Sequence, residues 1–234
     1  MSRLRLLPPL AAVLLVACGA SPHRQDPPSD VDQETPHLKQ AEIHADLIQQ
    51  MLDNGQYYAA LAHVQEEQRN SGPSEALTLL EADARGHIGQ RPQADALYRT
   101  LLQGSRAADA YHGLGRLYVD TSLDSAIRYF AAAVQRAPTN VDFRNDLGYA
   151  LMSAGRYTEA QPELSTAAEL APGQAKARNN LIVLMMLKGN EGAVQQLAQD
   201  AAVPPAKLQD LRRTAQSIRD QQTARAAKPA PGKS

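Results

Sequence analysis

Residues 141–174 decide the fold, and they read VDFRNDLGYALMSAGRYTEAQPELSTAAELAPGQ. Their apolar residues recur three and four positions apart, which is the spacing of one face of an α-helix. Gly155 interrupts the pattern where a helix would end, because glycine adopts a left-handed backbone at little cost. Pro172 closes the stretch, since proline cannot continue a helix. We therefore predict two helices joined by a short turn.

The same pattern returns along the chain as a glycine followed five residues later by an alanine. The pairs with this spacing are Gly55 and Ala60, Gly89 and Ala94, and Gly155 and Ala160. Gly189 begins a further copy, and Ala126 marks a copy without its glycine. The spacings between the glycines are 34, 66 and 34 residues. One helical pair cannot bury its apolar face alone, so this period predicts a stack of pairs.

The period of 34 residues resembles the tetratricopeptide repeat. The positions that carry the resemblance in the two strongest copies are Ala126, Phe130, Pro138, Gly148, Gly155, Ala160 and Pro172. The resemblance implies an all-α fold, a right-handed solenoid of helical hairpins with a C-terminal capping helix. We predict about five units over residues 39–208, with the strongest at 107–140 and 141–174.

The chain beyond the last repeat predicts a helix that covers the end of the stack. Pro204-Pro205 opens this helix, and residues 209–225 form the predicted cap. Its apolar stripe contains Leu208, Leu211, Ala215 and Ile218, whereas Arg212, Arg213 and Arg219 lie largely off the stripe. We expect a disordered tail over residues 226–234.

The first residues predict export and a lipid anchor. Residues 1–17 combine two arginines with an apolar run that is too short to span a bilayer, which indicates a signal peptide. The end of the run, Leu15-Val16-Ala17-Cys18, resembles the lipobox of bacterial lipoproteins. That resemblance implies acylation of Cys18, the only cysteine, and Gly19 implies sorting to the periplasmic face of the outer membrane. An ordinary secretory signal is the alternative. Residues 18–38 contain four prolines and predict a disordered tether.

The composition excludes several functional classes. A net charge of −1 with scattered charges gives no general attraction to nucleic acid. The six histidines show no metal-ligand spacing, and the glycines are turn glycines rather than a phosphate-binding loop. We therefore expect no metal, no cofactor, no small-molecule substrate and no catalysis, but rather a protein partner.

In tetratricopeptide proteins the first helix of each unit lines the concave face of the array. We therefore predict a groove whose partner-binding residues are Asp142, Asn145, Tyr149, Met152, Lys176, Asn179, Val183 and Met186. Amide and ammonium groups can hydrogen-bond a peptide, and methionine adapts to varied apolar side chains. Two alternatives stay open: Asn145, Asn179 and Asn180 can instead be turn or inter-helix bonding residues, and Lys176 with Asn180 partly resembles a carboxylate-binding clamp.

A second feature bears on the partner. Residues 181–187 read LIVLMML and are apolar on every face of a helix. Such a helix is buried on all sides. Either the array and its cap cover it, or a partner does.

The lipobox, proline-rich tether, repeats and short cap together resemble the TadD lipoprotein family of tight-adherence (Flp-type) pilus systems. The most similar segments are residues 144–151, 155–157 and 177–181. The resemblance implies a pilotin-like role, in which the protein binds the outer-membrane secretin and supports its assembly or localisation. The alternatives are the repeat lipoprotein of type IVa pili and a repeat lipoprotein that regulates a peptidoglycan synthase.

Overall fold

The computed structural model describes residues 43–227 of the 234-residue chain. The predicted signal peptide, the lipidation site Cys18 and the predicted tether lie outside the described residues. So do residues 228–234 of the predicted tail.

Helices account for the regular structure of residues 43–227, in which no strand occurs. The helices are α1 (43–53), α2 (Tyr57–Ser71), α3 (Glu75–His87), α4 (Arg91–Thr100), α5 (Ala107–Tyr118), α6 (Leu123–Arg136), α7 (Val141–Ser153), α8 (Tyr157–Leu170), α9 (Ala175–Leu187), α10 (Glu191–Asp200) and α11 (Pro205–Ala227). The first ten form five consecutive pairs, and the predicted all-α architecture of stacked helical pairs is confirmed.

Glycine makes the turn within four of the five pairs. Gly55, Gly89, Gly155 and Gly189 have φ between 71° and 83°, a backbone region that favours glycine. The residue after each glycine donates its backbone N–H to the carbonyl five residues earlier, at 2.8–3.0 Å. This bond satisfies a carbonyl that the end of a helix leaves free. In the α5–α6 pair, which lacks the glycine, the Ser122 hydroxyl caps α6 instead by accepting from the Ser125 N–H.

Small residues bring the two helices close together in the first four pairs. Ala60, Ala94, Ala126 and Ala160 have no exposed surface. From the other helix of the α7–α8 pair, Gly148 faces Leu164 so closely that an added Cβ would lie 2.6 Å from the Leu164 Cγ. A larger side chain at these positions would force the helices apart.

The pairs stack so that their first helices form an inner layer. The helix α3 packs against α5, and α7 packs against α9. The core is continuous in the second half of the array, where one apolar cluster extends from Ala126 to Ile218. Two smaller clusters fill the first half.

The last helix, α11, lies against α9 and is longer than the predicted cap. It begins four residues before position 209 and ends two residues after position 225. Leu211, Ala215 and Ile218 are buried against the array. Arg219, which the sequence placed off the buried stripe, donates to the Met186 carbonyl of α9 at 2.8 Å.

The apolar run of α9 is buried within the chain itself. All of residues 181–187 are at most 9% exposed. Helices α7, α8, α10 and α11 surround α9. Of the two alternatives, internal burial is therefore the correct one.

Candidate protein-interaction site

The structure closes half of the groove predicted from the sequence. Asn145, Met152, Val183 and Met186 are at most 7% exposed. Their side chains lie in the core and offer almost no accessible surface, unlike the open groove that the sequence predicts. For Met152, Val183 and Met186 the physical reason is that α11 packs on α9 and reaches the end of α7, where the open face was expected. Asn145 is instead buried between α7 and α9, where Asn180 bonds it.

The other predicted groove residues remain at the surface. Asp142 and Lys176 are exposed, and Tyr149 is 38% exposed. Asn179 is half-buried, and its Oδ1 is buried without a hydrogen-bond partner among residues 43–227.

Lys176 is held in an ion-pair network and does not form a free carboxylate clamp. Its Nζ lies 3.0 Å from Asp146 Oδ1 and 3.6 Å from Asp142 Oδ1. Asp146 also bonds His112 Nε2 at 2.9 Å, so the network joins α5, α7 and α9. Burial raises the pKa of Asp146, but the hydrogen bonds and charges of His112 and Lys176 outweigh it and lower the pKa to about 2. The network is structural, and its carboxylates compete with any ligand for Lys176.

Asn145 and Asn180 form a hydrogen bond between α7 and α9, as the inter-helix alternative predicts. The Asn180 amide donates to Asn145 Oδ1 at 2.8 Å, and Asn145 Nδ2 donates to Asp146 Oδ1 at 2.9 Å. With both groups of Asn145 satisfied and its side chain buried, this residue aligns α7 with α9.

An open recess lies instead on the inner face of the first three pairs. Two adjoining cavities of about 240 and 270 Å³ share Asp83, His87 and Arg116 as lining residues. Helix α1 contributes Gln49 and Asp53 to this recess. We call this cavity pair, between α1, α3 and α5, the inner recess.

A ring of polar and aromatic contacts fixes the floor of the inner recess. Arg116 Nη2 donates to His87 Nε2 at 2.6 Å, and Arg116 Nη1 lies 3.9 Å from Asp83 Oδ1. The Tyr98 hydroxyl donates to Asp83 Oδ1 at 2.5 Å. The Tyr57 ring stacks on His87 with centroids 4.2 Å apart and planes 2° from parallel. Residues from four helices, α2 to α5, therefore hold these groups in one arrangement.

Burial and the positive charge of Arg116 together shift the pKa values of His87 and Asp83. Burial and the neighbouring Arg116 lower the pKa of His87, which keeps the imidazole neutral, so that its Nε2 accepts the hydrogen bond from Arg116. Burial raises the pKa of Asp83, partly offset by the Tyr98 hydrogen bond and by Arg116. The recess thus offers donors and acceptors in fixed positions, which suits hydrogen bonding to a polar peptide segment.

Sequence reasoning missed the inner recess because it read the groove only from the best-patterned unit, residues 141–174, and from the unit that follows it. Asp83 lies six residues before its turn glycine, as Tyr149 does. Arg116 is 33 residues from each of them. The same unit-by-unit alignment that gave Tyr149 therefore gives Asp83 and Arg116.

Neither a metal site nor a membrane span is present in the described part of the chain. No group of three or more His, Cys, Asp or Glu side chains among residues 43–227 is arranged to hold a metal ion. No helix in that range is long and apolar enough to cross a bilayer.

Comparisons with known proteins agree with this architecture. A tetratricopeptide-repeat family model matches residues 120–179. The TPR repeat-containing protein PA4299 of Pseudomonas aeruginosa is 34% identical over 194 residues, which cover 81% of this chain and 75% of that protein.

Two solved structures share the fold at low identity. TTC0263, a thermophilic TPR protein of Thermus thermophilus, superposes with a TM-score of 0.59 at 19% identity, covering 76% of this chain and 98% of that one. MamA from Desulfovibrio magneticus, residue 41 to its end, gives a TM-score of 0.55 at 17% identity, covering 74% and 96%.

Proposed function

The chain belongs to the tetratricopeptide-repeat family, and on that premise we propose that it is a lipid-anchored scaffold of the outer membrane that binds a secretin subunit in pilus assembly. The coarser part of this statement follows from the family: the repeat array is a protein-interaction scaffold. The partner, the lipid anchor and the location are the proposal.

The observation that carries the proposal is the inner recess. It is the open part of an inner face whose other part is filled by α11. Its polar groups are already held in place by Tyr57 and Tyr98, so binding costs little side-chain ordering. A segment of a partner that enters the recess meets the half-exposed guanidinium of Arg116 and the carboxylates of Asp53 and Asp120.

The choice of a secretin rests on the resemblance to TadD lipoproteins at residues 144–151, 155–157 and 177–181. The lipobox-like Leu15–Cys18 segment supports the anchor. Acyl chains on Cys18 would hold the array at the membrane, where a secretin also resides. Confinement to one surface raises the effective concentration of two partners without any new contact.

Affinity purification from detergent-solubilised membranes tests this function. A C-terminally tagged chain is expressed from its own locus, and co-purified proteins are identified by mass spectrometry. We expect a secretin subunit in stoichiometric amount. The matched control is Cys18→Ala, which we expect to fold normally, leave the membrane fraction and co-purify less secretin.

The same experiment separates the alternatives. Recovery of a secretin of type IVa pili would assign the protein to that system, and recovery of a peptidoglycan synthase would assign it to cell-wall synthesis. Either result would reject the tight-adherence proposal. Normal pilus assembly in cells with the Cys18→Ala protein would reject the role of the lipid.

A further inference from the structure

The helix α11 consists of two parts that are held by different forces. Residues 205–218 bury Leu211, Ala215 and Ile218 against the array. Beyond them, residues 219–227 bury no side chain, and all are exposed except Gln222, which is half-buried. The first part is thus held by apolar burial and the second is not.

The second part contacts the main chain at the ends of two inner helices. Arg219 reaches the end of α9 through the Met186 carbonyl at 2.8 Å. At the end of α7, Gln222 donates to the Met152 carbonyl at 2.9 Å and Arg225 donates to the Ser153 carbonyl at 2.8 Å.

One hydrogen bond from a neighbouring helix completes this attachment. The Tyr157 hydroxyl of α8 donates to Gln222 Oε1 at 2.8 Å. Arg219, Gln222 and Arg225 recur every three residues, so they lie along one side of α11.

Bonds of this kind are easily exchanged for water. Each of these partly buried hydrogen bonds contributes less than its strength in isolation, because both groups find water when it opens, although the two guanidinium donors contribute more than the Gln222 amide. Opening residues 219–227 frees the last carbonyls of α7 and α9, which helix ends leave available in any case. Opening residues 205–218 would instead expose Leu211 and Ile218, which is far more costly.

A separate cavity lies next to the second part. Its volume is about 320 Å³, and its lining includes Gln222 and Arg225 from α11 and Ser122 and Asp124 from the start of α6. Ser122 follows Asp120, a lining residue of the inner recess, by two positions. The end of α11 and the inner recess are thus connected along the chain by the turn between α5 and α6.

We propose that residues 219–227 are a releasable latch: they cover the end of α7 in the free protein, and a partner segment that enters the inner recess displaces them and extends onto α7. The displacement by a partner rests on the proposed function. The release itself is a property of the protein alone.

Distance measurement by pulsed electron paramagnetic resonance tests the release without a partner. Spin labels are attached through Thr223→Cys and Glu169→Cys in the full chain carrying Cys18→Ser. The control pair replaces Thr223→Cys with Gln209→Cys, in the apolar part of α11. We expect a single narrow distance for the control pair and a second, longer population for the latch pair.

Substitution of the latch contacts sharpens the test. The combined variant Arg219→Ala, Gln222→Ala and Arg225→Ala should increase the longer population, by about fivefold for each bond lost. The matched control is Gln216→Ala with Asp220→Ala, whose hydrogen bond lies within α11. This control should leave both distance distributions unchanged.

The distance measurements test the latch, and the membrane purification tests the proposed function, so failure of one can be told from failure of the other. Equal and narrow distributions for both label pairs, unaltered by the three substitutions, would overturn the latch. In the membrane purification, the three-residue variant should retain more partner than the unsubstituted protein. Equal recovery despite greater release would reject the competition, whereas absence of any partner from both would contradict the proposed function and leave the distance result standing.

Discussion

The two halves of the inner face use the same repeat position in opposite ways. Arg116 lies in the open recess with its side chain 44% exposed, whereas the corresponding Val183 is completely buried. Tyr149, in the unit between them, is partly exposed. The difference arises because α11 covers α9 but does not reach α3 and α5. In a repeat array, a position is therefore a binding surface or a core position according to what packs over it.

The comparison also explains why the polar residues of the two halves differ in role. In the second half, Lys176 and Asp146 neutralise one another between helices. In the first half, Arg116 is shared between a neutral imidazole and a distant carboxylate. The ion pair of Lys176 and Asp146 therefore leaves little net charge for a ligand, whereas the contacts around Arg116 leave charged groups facing the recess.

The largest expected effect comes from placing a charge in the covered half. Val183→Asp should destabilise the protein by at least about 3 kcal/mol, because the carboxylate has no partner in the core. Chemical denaturation measures the free energy of unfolding. The matched control, Gln195→Asp on the exposed side of α10, should change it by less than about 0.5 kcal/mol. If Val183→Asp were equally mild, α9 would not be covered.

A second variant tests how closely α7 and α8 approach each other at the fully buried Ala160. Ala160→Trp should lower the free energy of unfolding by about 2–3 kcal/mol, since the indole must push α7 and α8 apart. Ala131→Trp, at an exposed position of α6, serves as its control. A melting temperature that is unchanged in Ala160→Trp would contradict the packing of this pair.

The network of the second half predicts a specific acid dependence. Because the folded-state pKa of Asp146 is about 2, below the ordinary 3.8, its ionised form stabilises the fold above about pH 4. That stabilisation is lost as the pH falls from about 4 to about 2. Asp146→Asn should lose about 2 kcal/mol at pH 7 and flatten this part of the stability profile. Asp142→Asn is the matched control, because its carboxylate is mostly exposed, and a profile unchanged by Asp146→Asn would refute the assignment.

The smallest expected effect on the free energy of unfolding comes from a substitution in the inner recess. Arg116→Ala removes one of the two causes that lower the pKa of His87, so that pKa should rise toward its ordinary value while staying below it because of burial. NMR titration of the imidazole follows the change. The free energy of unfolding should fall by less than about 1 kcal/mol. An unmoved His87 titration would show that the two side chains do not meet.

The repeat architecture could be predicted because each turn and each close contact has a local signal. The glycine at Gly155 sets the turn, Ala160 permits the close approach, and the apolar run of α9 indicates a helix without an exposed side. None of these features depends on a distant part of the chain.

The position of α11 could not be predicted in this way. Its bonds to α7 and α8 join residues 65 to 72 positions apart, and no periodic pattern encodes them. Without that placement, Met152 and Val183 were assigned to an open groove. The inner recess was missed for a different reason, because the groove was read only from residues 141–174 and 175–208, whereas the recess is built from the units before them.

Site-specific photo-crosslinking in cells tests the central claim, that partners bind the open half of the inner face. A photo-crosslinking amino acid replaces Asp120 at the inner recess or, as the control, Gln195 on α10, both of which are exposed. We predict a strong adduct with a membrane-associated partner from position 120 and none above background from position 195. An adduct from position 195 with none from position 120 would contradict the account.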